Sequence, residues 1–367
     1  MSGKIRLLHF ITTTHIGGTE RMLINLHSKL DFNRFDSVVV SLFPSEGMLF
    51  EELDLLGLKT CSLNYRKYNI LSVIIRLIMI IKQNKIDIVQ SYGLKTAVIS
   101  RIVKFFCQIK LISSIRGVDL HRNRFMVWLD RYSSGMVDLF ISNSYVGKEV
   151  ATKREHFSDS SIKVIHNGID IGQYKESGII DVYDSEKLNI LVLANIWPVK
   201  GHKNIIESIK YLRKKNFSVH FYFLGKDHMR GEVQQYVIDN KADDLVTFLG
   251  YKKEVVSYIK GADVMLLASL HEGLPTSIIE SMLCETIVVA TRVGGVGELI
   301  TDRETGLLID ASSPQQIALA INWIMENKDK VLDIIEKAKK KIERDFSLED
   351  MILQYEQQYI EVKCSGK

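Results

Sequence analysis

Residues 86–115, IDIVQSYGLKTAVISRIVKFFCQIKLISSI, hold two apolar runs rich in β-branched side chains, 86–92 and 111–115, with a helix-length segment between them. A strand exposed on one face alternates apolar and polar residues, so near-continuous apolar runs mark strands covered on both faces, as in a parallel sheet. The same alternation continues outward through runs at 5–12, 38–43, 139–142 and 163–165, which predicts a doubly wound α/β domain. The pattern lapses in the polar stretch IDIGQYKESGIIDVYDSEK, residues 169–187, and resumes with runs at 189–194, 219–224, 246–249, 264–268 and 287–291. Three helical patterns follow Pro314, the last at 348–362. The expected organisation is one Rossmann-like domain over 1–170, a linker over 171–187, a second such domain over 188–346, and a C-terminal helix over 347–367 that packs back on the first domain. In open α/β sheets ligands bind beyond the carboxyl ends of the strands, so two such domains facing each other are expected to enclose a cleft.

Composition supports this reading. A chain of 367 residues, 46% hydrophobic and 25% charged, is long enough for two domains and too apolar to be disordered. With 4 prolines and no biased tract, collagen-like and low-complexity classes are excluded. Cys61, Cys107, Cys284 and Cys364 show no CxxC or Cys/His ligand spacing, which argues against a zinc site or a disulfide framework and suits a reducing cytoplasm. The N-terminus MSGKIRLLHFITTTHIGG has no cleavage-like signal, and the apolar run 70–81 is interrupted by Arg76 and falls short of the ~20 residues of a membrane span.

The formal charge of +4 hides an asymmetry: residues 1–180 carry 24 Lys/Arg against 16 Asp/Glu, and residues 181–367 carry 24 against 28. Between Lys59 and Lys110 ten basic residues face one acid, Asp87, with Phe105 and Phe106 among them. Such a surface can rest on an anionic bilayer; two amphipathic helices with solvated charges are the plainer reading. No nucleic-acid motif accompanies the charge, so no nucleic-acid partner is expected.

Three motifs carry chemistry. The first strand ends in THIGGTER, where Gly17 and Gly18 precede a helix whose free N–H groups suit an anion, although glycine after a strand is also an ordinary turn. The pattern is neither a P-loop nor GxGxxG. In ANIWPVKGHKN, Lys200 stands at the mouth of a helix, as a diphosphate ligand or a solvated lysine. In SLHEGLPTSIIESMLC, Glu272 falls on a loop and Glu280 inside an apolar helical run, where burial is unfavourable unless hydroxyl groups such as those of a ribose satisfy the carboxylate. A solvated helix charge or cap is the alternative for each acid.

The E-x7-E spacing from Glu272 to Glu280 resembles the signature of the retaining glycosyltransferases of family 4, which have the GT-B fold. GGTER, HNGID at 166–170, ANIWPVKGH, FLGYKKEVVSYIKGADVMLLAS and GGVGELITDRETGLLI resemble further segments of that family in the same order. The resemblance implies two Rossmann-like domains facing across a cleft, the first on the acceptor side and the second binding a nucleotide sugar. It implies that Lys200 holds the donor diphosphate with help from amides near Gly17 and Gly18, and that Glu280 binds the ribose. Glu272 would touch the transferred sugar, and backbone amides around Leu274, Pro275 and Thr276 would contact sugar or phosphate.

Two departures stand out. Asn195 occupies the place of a family arginine, and SSIRGVD has no histidine where many members carry one. Arg116 could supply the missing positive charge, or it could form a structural ion pair with Asp119; Arg230 is a further donor-site candidate. The expected activity is transfer of a sugar, with retention, from a nucleotide diphosphate sugar to a saccharide acceptor. UDP-sugars are favoured by their frequency in the family. A lipid-linked acceptor of bacterial surface-polysaccharide assembly, at the inner face of the plasma membrane, fits the basic first half. The chain has no D-x-D sequence, and neither a cofactor nor a catalytic metal is implied. A nucleotide-sugar 2-epimerase and a non-catalytic nucleotide-sugar-binding or membrane partner protein are the competing readings.

Overall fold

A computed structural model describes residues 3–116, 124–175, 178–215 and 217–365. The chain divides into two compact units, one formed by 1–169 with 346–367 and the other by 170–345. Asp119, the suggested partner of Arg116, lies outside the described residues.

The first unit is built on a parallel seven-stranded sheet: β1 (Ile5–Ile11), β2 (Phe35–Ser41), β3 (Lys59–Ser62), β4 (Ile88–Tyr92), β5 (Lys110–Ile115), β6 (Leu139–Ser142) and β7 (Ile162–Val164). Its order is β3-β2-β1-β4-β5-β6-β7. The two-residue period of a strand sends Leu7, Val39, Ile88 and Ile112 to one face and Leu8, Val38, Val40, Val89 and Leu111 to the other. The first face is covered by the helices Gly18–Lys29 and Leu348–Cys364, the second by Ile70–Gln83 and Leu94–Lys104. The C-terminal helix carries Tyr355 and Tyr359, both fully buried, against this core.

The second unit holds β8 (Leu188–Leu193), β9 (Val219–Leu224), β10 (Val246–Gly250), β11 (Val264–Leu267), β12 (Ile287–Thr291) and β13 (Leu307–Ile309), all parallel, in the order β10-β9-β8-β11-β12-β13. Ile190, Val192, Phe221, Phe223 and Leu266 face one side, with the helices His202–Arg213 and Pro314–Glu326; Leu191, Tyr222 and Leu224 face the other, with Tyr258 and Ile259. The segment ahead of β8 is part of this unit: Ile180, Val182 and Tyr183 pack on Tyr222 and Tyr258, and the Tyr183 hydroxyl donates to the Tyr258 carbonyl.

Both units are therefore doubly wound α/β sheets with the order reversal of a Rossmann fold, at β1/β4 and at β8/β11. The edge strands β3 and β13 add to the runs expected from sequence. At four and three residues, and with β3 largely uncovered, they lack the long apolar run that marks an interior strand. Among the described residues, no helix is long and apolar enough to cross a membrane.

Candidate active site

In the second unit the chain leaves β8 through Asn195–Ile196–Trp197 into a short turn, Pro198–Lys200, before the helix His202–Arg213. Next to β8, at the reversal of strand order, the chain leaves β11 through Ser269 to Glu272. Lys200 and Glu272, 72 positions apart in sequence, meet here: Nζ lies 2.6 Å from Oε1, and the Ser269 hydroxyl donates to the same oxygen at 2.6 Å. Glycines hold this crossing together. A Cβ at Gly201, whose φ is +70°, would stand 2.0 Å from the Ala268 carbonyl oxygen, and one at Gly294, φ +52°, would stand 1.8 Å from that of Glu272. Gly295 N–H also donates to the Gly273 carbonyl at 2.7 Å, fixing the loop that carries the acid.

Glu280 lies on the helix Thr276–Leu283, which Pro275 caps after the buried Leu274. The sequence placed it in an apolar run, but the helix buries Ile278, Ile279, Met282 and Leu283 and turns Glu280 to a half-buried face. Its Oε1 accepts from the Tyr174 hydroxyl at 3.3 Å. Asn195 is exposed, and its side-chain oxygen accepts from the Lys226 amide at 2.8 Å, tying the loop after β8 to the loop after β9. Arg230 is exposed on that second loop with a left-handed φ of 54°. Trp197 stacks on His228 with ring centroids 4.2 Å apart, leaving an aromatic face beside the Lys200 turn. His202, behind it, is buried against Phe223, and burial with the nearby Lys200 charge lowers its pKa to about 4.

The other sequence candidates lie on the first unit. Gly17 caps the helix Gly18–Lys29, and its N–H donates to the Glu20 carboxylate at 3.1 Å. Burial raises the Glu20 pKa, with the amides and the Arg116 charge opposing. A Cβ at Gly18 would meet nothing within 4 Å, so the fold itself does not demand glycine there. Arg116 follows β5 and donates to Asn167 Oδ1 at 2.7 Å and to the Tyr355 hydroxyl at 2.6 Å, with its guanidinium over the Tyr92 ring. It thus ties the C-terminal helix to the sheet.

Ser269, Tyr174, Glu20 and the Trp197–His228 pair went unread in the sequence. Only Ser269 had a signal, as a hydroxyl at a strand end three residues before an acid.

The model for glycosyltransferase family 4 matches residues 16–173, and that for glycosyl transferases group 1 matches residues 180–341, so the two cover most of both units. The chain belongs to the group 1 glycosyltransferases. Among similar proteins, the Escherichia coli UDP-Gal:alpha-D-GlcNAc-diphosphoundecaprenol alpha-1,3-galactosyltransferase is 22% identical, covering 98% of this chain and 97% of that one. A Campylobacter jejuni N-acetylgalactosaminyltransferase named for a diphospho-undecaprenol substrate is 24% identical over 52% of this chain and 51% of its own. Among solved structures, a Rickettsia africae glycosyltransferase superposes with a TM-score of 0.88 at 21% identity over the whole of both chains. The Anabaena protein HepE in complex with UDP-glucose does so at 0.83 and 19% identity, covering 97% of this chain and 100% of that one. The fold of this glycosyltransferase is GT-B, the fold of those neighbours.

Proposed function

We propose that this glycosyltransferase moves a sugar, with retention, from a UDP-sugar to a lipid-linked saccharide during assembly of a bacterial surface polysaccharide. The observation that carries the reading is the 2.6 Å contact between Lys200 and Glu272 at the strand-order reversal of the second sheet, where an open α/β fold binds its ligand. Lys200 bridges Glu272 and the donor diphosphate, so that a carboxylate can stand near the sugar without repelling the phosphates. Glu280 accepts from the ribose hydroxyls, and the N–H groups of Leu274 and Thr276, on either side of Pro275, reach sugar or phosphate. Asn195 and Arg230 flank the diphosphate end, with Arg230 the cation in place of the family arginine.

In this mechanism the bond from the anomeric carbon to the phosphate oxygen breaks while a bond to the acceptor oxygen forms on the same face. The acceptor's proton passes to the departing phosphate oxygen, and UDP leaves. No protein base or metal is needed, because Lys200 and oriented amides stabilise the charge growing on the leaving group. The names of the Escherichia coli and Campylobacter jejuni relatives support a diphosphoundecaprenol acceptor and, for the former, a UDP-sugar donor. The epimerase and non-catalytic readings gain nothing from these names or from the family models.

The test is a thermal-shift screen of nucleotide sugars, followed by product analysis with the best donor and a polyprenyl-diphosphate saccharide. A new α-linked glycoside supports the reading. Release of a changed nucleotide sugar without acceptor, or activity that vanishes in a chelator and returns with Mg²⁺, overturns it.

A further inference from the structure

The helix Ile70–Gln83, ILSVIIRLIMIIKQ, is apolar on nearly every side. Its inner stripe, Val73, Leu77 and Ile81, is buried in the first unit, yet its outer stripe is apolar too: Leu71, Ile75 and Met79 are 64%, 49% and 48% exposed. An all-round apolar helix is ordinarily covered on every side. At its C-terminal end the adjoining helix Leu94–Lys104 runs into Phe105 and Phe106, 74% and 61% exposed. Cys107, directly after Phe106, packs on the same buried cluster as Ile78, Ile80 and Ile81 of the first helix, so the helix end and the Phe105–Phe106 turn lie over one core.

The rim of this patch is cationic. Lys82 and Lys85 are exposed, and among the described residues no carboxylate pairs with either. The one acid between residues 59 and 110, Asp87, is already engaged by Arg6 and Lys363. Lys104 and Lys110, two of the ten basic residues counted between 59 and 110, both pair with Asp138 and are only partly exposed. Two of the segment's unpaired positive charges, Lys82 and Lys85, therefore sit beside the apolar stripe.

We propose that the Leu71–Ile75–Met79 stripe with Phe105 and Phe106 is seated in the headgroup region of an anionic bilayer, with Lys82 and Lys85 against the lipid phosphates. This rests on the lipid-linked acceptor reading above and names the surface that brings the enzyme to such an acceptor. A bilayer fits better than a second copy of the chain, because a twofold contact through this stripe would bring the cationic rims of both copies together. Apolar insertion combined with salt-sensitive attraction to anionic lipid is the mode of an interfacial helix.

The experiment is co-sedimentation of the full chain with phosphatidylglycerol–phosphatidylcholine vesicles and with pure phosphatidylcholine. Expected are binding to the first that weakens as salt rises, a loss of about tenfold or more in Leu71→Asp/Ile75→Asp and in Lys82→Glu/Lys85→Glu, and no change in Leu332→Asp, an equally exposed leucine of the second unit. Binding of the variants equal to the parent overturns the proposal, as does a parent that ignores the vesicles or one that is a dimer broken by Leu71→Asp/Ile75→Asp. A UDP-glucose thermal shift on the same proteins confirms folding and separates the two ideas. A shift retained without vesicle binding defeats the surface alone, whereas vesicle binding with no shift from any nucleotide sugar defeats the donor reading.

Discussion

Lys200 Nζ and Glu272 Oε1 lie 2.6 Å apart although the two residues leave the sheet from different strands. The Lys200 side chain keeps about a quarter of its surface in solvent and that of Glu272 less than a tenth, so the carboxylate depends on its partners more than the ammonium does. Lys200→Ala should lower turnover by roughly 100-fold, the scale for removing one charge-stabilising donor. It should also destabilise the fold by about 2 kcal/mol, because the mostly buried Glu272 carboxylate loses its cation and keeps the Ser269 hydroxyl. Steady-state kinetics and urea unfolding of the same protein check both numbers. Turnover within a few-fold of the parent would remove Lys200 from the leaving-group site.

One Glu280 carboxylate oxygen accepts from Tyr174, so a ribose hydroxyl that reaches that oxygen shares it with the phenol. Glu280→Gln should abolish most of the thermal shift given by a UDP-sugar. Tyr174→Phe, which frees a lone pair for the ligand, should leave the shift intact or enlarge it. Equal shifts in parent and Glu280→Gln would refute the ribose assignment.

How far the molecule could be read in advance depended on the range of the forces involved. Interior strands such as β4 and β12 are legible because burial on both faces demands an unbroken apolar run, while β3 and β13, at sheet edges, are under no such demand. The loop acids could be listed from spacing, but the Lys200–Glu272 contact is a product of strand order, which brings β8 beside β11. Counting charge along the chain could not show that Lys104 and Lys110 pair with Asp138, an acid outside the counted segment. Arg116 teaches the same lesson: its acceptors Asn167 and Tyr355 come from the end of the first unit's main chain segment and from the C-terminal helix.

Those two acceptors make Arg116 a fastener before anything else. Arg116→Met would leave the Tyr355 and Asn167 oxygens without their donor beneath the C-terminal helix, and should destabilise the protein by about 3 kcal/mol. Urea unfolding followed by far-UV circular dichroism reads this directly. A stable variant that fails only in catalysis would instead favour a direct role for the guanidinium at the donor.

His27 is fully buried, with Nδ1 2.8 Å from the Leu23 carbonyl oxygen and Nε2 2.8 Å from the Ser37 hydroxyl. Facing a carbonyl, Nδ1 must carry the hydrogen, which leaves Nε2 to accept from Ser37. Burial lowers the pKa from 6.5 to about 4, and His202 in the second unit is lowered as far. Below pH 6.5 the unfolded chain then binds protons that the folded chain refuses, so stability falls as pH drops towards 4, by up to about 3 kcal/mol for each histidine. His27→Gln should flatten the slope of unfolding free energy between pH 6.5 and 4 even if it lowers stability at neutral pH. An unchanged slope would mean that His27 protonates equally in both states.

Gly294 tests whether the loop bearing Glu272 must be held where it is. An alanine there would bring its Cβ to 1.8 Å from the Glu272 carbonyl oxygen, and the φ of +52° is itself unfavourable for a residue with a side chain. Since neither chain can yield without moving the other, the Glu272 loop is pushed off Lys200. A displacement of one ångström at a reacting centre can lower a rate by about 100-fold, so Gly294→Ala should lose at least that much turnover. Gly18→Ala provides the contrast, because a Cβ there meets nothing in the fold within 4 Å. It should leave urea stability unchanged, and any rise in the KM for the sugar donor would then report a ligand approaching that bare backbone.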